Sequence, residues 1–129
     1  MKARDLVAVW GAPDNSRLTA KQASFRLPVH VAAKIAALCE MYPQKTKTQI
    51  VGDLLAAALT DLESELPQVL SSRFFGKDED GHDLFEVEGP AETFRELTNK
   101  HYRELEIELG SEDPEPLFQG VLVDRRVDR

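Results

Sequence analysis

Gln22, Ser24 and Arg26 stand two residues apart in the stretch Lys21-Gln22-Ala23-Ser24-Phe25-Arg26-Leu27, with Ala23, Phe25 and Leu27 at the alternate positions. Alternation with period two predicts a short strand with one apolar and one polar face. The polar face carries an amide, a hydroxyl and a guanidinium, which are groups able to read base edges. A guanidinium donates a bidentate pair to guanine O6 and N7, an amide pairs with adenine N6 and N7, and a serine is small enough to approach either kind of edge. A merely solvated strand face is the plainer reading of these three residues taken alone, so their weight depends on the segments after Leu27.

Pro28 ends the strand and suits the first turn of a helix, where its missing N–H would be unpaired anyway. Val31, Ile35, Leu38, Cys39 and Tyr42 then recur at three- and four-residue steps as one apolar stripe, with His30, Lys34 and Glu40 off it. Pro43 closes this helix, because the residue before a proline is pushed out of the α region. After the turn Gln44-Lys45, the run Thr46-Lys47-Thr48-Gln49 fits a capping box and predicts a second helix from Lys47. Ile50, Val51, Leu54, Leu55, Ala58, Leu59 and Leu62 give that helix an apolar face wider than one short partner covers. One strand and two short helices make too small a core to stand alone, so the segment calls for an intertwined two-fold dimer in which two strands pair.

Residues 21–63, in this order of elements, resemble the ribbon-helix-helix family of Arc- and MetJ-type DNA-binding proteins, over about a third of the chain. The resemblance implies that two copies of the strand form an antiparallel ribbon lying in the major groove. By position it implies base contacts from Gln22, Ser24 and Arg26, and phosphate contacts from Lys21 and from Lys45, Thr46, Lys47 and Thr48 at the start of the second helix. It places Phe25, Leu27, Ile35, Leu38, Ile50 and Leu54 in the dimer core. The chain departs from many relatives in one respect, having Pro43-Gln44-Lys45 where they place a glycine before the second helix. A helix N-terminus offers free N–H groups and the positive dipole end to a phosphate, and contacts of that kind position a protein without specifying sequence.

The 129-residue chain carries 16 basic and 23 acidic residues, a formal charge of −7, which by itself argues against nucleic acid. The distribution argues otherwise. Residues 1–50 hold eight Lys or Arg against three acids, a local charge of +5, whereas residues 51–129 hold eight bases against twenty acids and carry −12. A basic binding surface attached to an acidic appendage has this footprint.

The expected fold class is mainly α with a short β-ribbon: an intertwined ribbon-helix-helix dimer plus a small α+β C-terminal extension. Residues 1–20 read as a partly flexible N-terminal arm. Within it Gly11 to Ser16 forms a turn-rich hinge, Lys2, Arg4 and Arg17 offer phosphate or minor-groove contacts, and Leu6 to Trp10 is an alternative extra strand. Residues 21–65 form the DNA-binding and dimerisation domain, and residues 66–129 the acidic extension. There Leu66-Pro67 marks a break, Gln68 to Phe75 reads as a short helix, and turn residues between aromatic runs predict a hairpin over 73–87. Gly89-Pro90 starts a helix over 90–109 with Phe94, Leu97, His101, Leu105 and Glu108 on one face and Tyr102 and Leu109 beside it. Ser111 to Pro116 reads as a linker and Leu117 to Val123 as a short strand before a charged tail.

Enzymatic constellations are not found. His30, His82 and His101 stand at no metal-ligand spacing with the single cysteine, Cys39, and there is no phosphate-cradling glycine loop or nucleophile elbow. Asp78 and Asp80 before Gly81 lack the third ligand and the twelfth-position glutamate of a calcium loop. No cofactor is expected. Cys39 reads as a small core residue, and the absence of a long apolar run or a signal peptide predicts a cytoplasmic protein without membrane contact. The functional expectation is a sequence-specific transcriptional regulator, a repressor that binds double-stranded operator DNA as a homodimer or as a tetramer of two dimers, with the acidic half available to a second protein. Two other readings stay open: an antitoxin that autoregulates by DNA binding and holds a toxin with its C-terminal half, and a dimeric protein-binding scaffold without DNA affinity.

Overall fold

The computed structural model describes Leu6 and residues 17–126, and within residues 17–126 it contains three helices and one three-stranded antiparallel sheet. Apart from Leu6 and Arg17, the expectations for the N-terminal arm lie outside the described residues, as does the end of the charged tail. The chain divides into two compact units, Met1–Glu65 and Leu66–Arg129.

The first unit holds α1 (Val29–Met41) and α2 (Lys47–Glu65). Pro28 precedes α1 at φ −54° and ψ 144°, and its carbonyl accepts from the Val31 and Ala32 amides at 3.0 Å each. At the other end Tyr42 leaves the α region, at φ −125° and ψ 68°, one residue before Pro43. Ile35 is buried, Val31, Leu38, Cys39 and Tyr42 are half-buried, and His30, Lys34 and Glu40 are exposed, so α1 has the facing its periodicity predicts. Ile50 and Ala57 of α2, together with Leu6, form a buried cluster on which Leu38, Cys39, Tyr42 and Leu54 pack. The buried seam of α2 therefore runs 50–54–57. Ala58, which the broad stripe included, is exposed, and so are Leu55, Leu59 and Leu62.

Residues 22–28 form no strand in a single chain. Phe25 is 78% and Leu27 46% exposed. The physical reason is that a strand is held by ladder bonds to a neighbour, and among the described residues the sheet comprises other segments alone.

The second unit holds β1 (Val69–Lys77), β2 (Asp83–Glu88), α3 (Pro90–Glu108) and β3 (Val123–Arg125), with strand order β1-β2-β3. The hairpin is longer than the aromatic runs suggest, because the segment from Val69 onward pairs with β2, Leu70 opposite Val87 and Phe74 opposite Phe85. This overturns the short helix expected over Gln68 to Phe75: cross-strand pairing decides the state of a segment whose own helical signal is weak. The polar face of the hairpin is tied by Arg73, whose Nε lies 2.6 Å from Glu86 Oε2 and whose Nη1 lies 3.6 Å from Glu88 Oε2.

The β1–β2 turn is organised by Asp78. Its Oδ1 accepts from the Asp80 amide at 2.9 Å and the His82 amide at 2.8 Å, and the His82 amide bond is the leading cause holding the carboxyl below its ordinary value. Gly89 joins β2 to α3 at φ 86° and ψ −164°, backbone territory that belongs to glycine. Pro90 occupies the first helical position, and the Ala91 amide donates to the Pro67 carbonyl at 3.0 Å, closing the sheet onto the helix start.

The strand expected over Leu117 to Val123 is displaced to Val123–Arg125. Asn99 takes the backbone groups that a strand would have paired: its Nδ2 donates to the Phe118 carbonyl at 3.0 Å and its Oδ1 accepts from the Phe118 amide at 2.9 Å. Arg95 stacks over the Phe118 ring at 5.1 Å and extends this clamp.

Candidate nucleic-acid interface

The start of α2 is the best-defined element of the predicted interface. The Thr46 amide donates to Gln49 Oε1 at 2.9 Å, and the Gln49 amide donates to Thr46 Oγ1 at 3.1 Å. This reciprocal pair is the capping box that the spacing predicts. It uses the third amide of the helix and leaves the first two, of Lys47 and Thr48, outside the box, where a helix presents donors to an anion. Thr46, Lys47 and Thr48 are exposed, and Lys45 is half-buried in the preceding turn, its amide donating to the Tyr42 carbonyl at 3.0 Å. The Pro43-Gln44-Lys45 turn thus reaches the helix without a glycine.

Gln22, Ser24 and Arg26 are exposed, as is Lys21, whose carbonyl accepts from Thr19 Oγ1 at 2.8 Å. They are on an unpaired segment, so one chain does not set them on a strand face. Of the six residues assigned to a dimer core, Ile35 and Ile50 are buried and Leu38 and Leu54 half-buried within the chain, whereas Phe25 and Leu27 are exposed. The helical members pack within one copy, whereas of the two that precede Pro28 Phe25 is largely uncovered and Leu27 about half covered by their own chain.

Two groupings in the second unit are only partly legible in the sequence. Asp78, Asp80 and His82 bring potential ligand atoms within 4.8 Å of one another. Asp78 already uses its carboxylate in the turn, Oδ1 on two amides and Oδ2 at 3.2 Å from His82 Nδ1, and this accounts for the cluster without an ion. On α3, Phe94, Leu97, Thr98, His101, Tyr102 and Leu105 line an open groove of about 450 Å³. Helical spacing places all six on or beside one face, Thr98 included, whose polarity hides it from an apolar count.

Comparison with protein-family models, with curated proteins and with solved structures gives no match. No helix among the described residues is long and apolar enough to cross a membrane.

Proposed function

We propose that this protein is a sequence-specific DNA-binding transcriptional regulator, acting as a repressor, in which two copies of residues 21–27 pair as an antiparallel β-ribbon that enters the major groove. The observation that carries the reading is the order of an uncovered, alternating segment, a proline-started α1 and a capping-box-started α2. Phe25 and Leu27 before Pro28, and Leu55, Leu59 and Leu62 on α2, are all large apolar side chains left exposed in one chain. A second copy supplies both the strand partner and the cover these residues lack. Gln22, Ser24 and Arg26 then share the outward face of the ribbon and read bases. Lys21, Lys45, Thr46, Lys47 and Thr48 hold phosphate and fix the register.

The antitoxin alternative gains nothing from the second unit, which has a hairpin, a 19-residue helix and a clamped loop rather than the composition of a segment that folds on its partner. Selection of bound sequences from random DNA tests the proposal. A palindromic consensus is expected, with half-sites related by the two-fold axis of the dimer; failure to enrich any sequence would sink it.

A further inference from the structure

We draw no further inference here: the strongest candidate, the open apolar groove along α3 from Phe94 to Leu105, carries nothing because nothing in the structure shows what covers it.

Discussion

Thr46 and Gln49 close a ring of two hydrogen bonds at the start of α2, each backbone amide donating to the other residue's side chain, at 2.9 and 3.1 Å. The pair fixes where the helix begins. It thereby decides which amides, those of Lys47 and Thr48, are left to face an anion. Replacing Thr46 by Ala should cost about 1 kcal/mol of stability, the usual loss for a threonine cap, and Thr46→Ser should retain most of it. Thermal unfolding of the three proteins checks this, and an unchanged midpoint for the alanine variant would mean that the cap does not stabilise the fold.

Gly89 is confined by both its backbone and its neighbour. Its conformation lies where side chains are strained, and an added Cβ would sit 2.8 Å from Val69 Cγ2. Gly89→Ala should therefore destabilise the second unit by roughly 1–3 kcal/mol from backbone strain, with the clash in addition. The check is denaturant unfolding of the full chain; a loss no larger than that of an ordinary surface substitution would contradict it.

Asp78 should give the hairpin turn an acid sensitivity. The His82 amide, first among its causes, holds the folded-state carboxyl below its ordinary value of 3.8. A group depressed in this way contributes stability that is fully present above the unfolded value and is lost as pH falls through the folded one. Asp78→Asn should lower the unfolding midpoint near neutral pH and flatten its decline on acidification, because the pH-linked part of the turn has been removed. Parallel unfolding curves for the two proteins across the acid range would contradict the assignment.

What the sequence makes legible depends on where each signal originates. The ends of α1 and α2 are readable because Pro28, Pro43 and the Thr46–Gln49 box act locally, within three or four residues. The inward stripe of α1 is readable because 3.6-residue periodicity is imposed by the same face that packs. The turn between aromatic runs makes the inner part of the hairpin legible, whereas residues 69–72 read wrongly as helix because their state is set by pairing that reaches Val87 and Glu88, which no local pattern reports. The third strand falls elsewhere than expected because the Asn99 clamp on Phe118 joins positions 19 residues apart. In the candidate interface, the side-chain types at 22, 24 and 26 are visible in the sequence, but residues 22–28 form no strand within one chain.

The assigned roles separate into specificity and affinity. Arg26→Ala should relax discrimination at one base pair of each half-site, at a loss of roughly 1–3 kcal/mol on the preferred sequence. Lys47→Ala should weaken all sequences alike and reduce the salt slope by about one. Competition titrations with preferred and scrambled duplexes distinguish the two, and the assignment by position fails if both variants bind as the parent does.

Residues 21–63 are proposed to bind DNA through a ribbon and through phosphate contacts at the start of α2. Fluorescence anisotropy with the protein's own upstream region, titrated at several salt concentrations, tests it most directly. Specific binding is predicted, with an affinity that falls steeply and log-linearly with salt, since each neutralised phosphate contributes a slope of about −0.9. Absence of binding, or binding indifferent to salt, would contradict it.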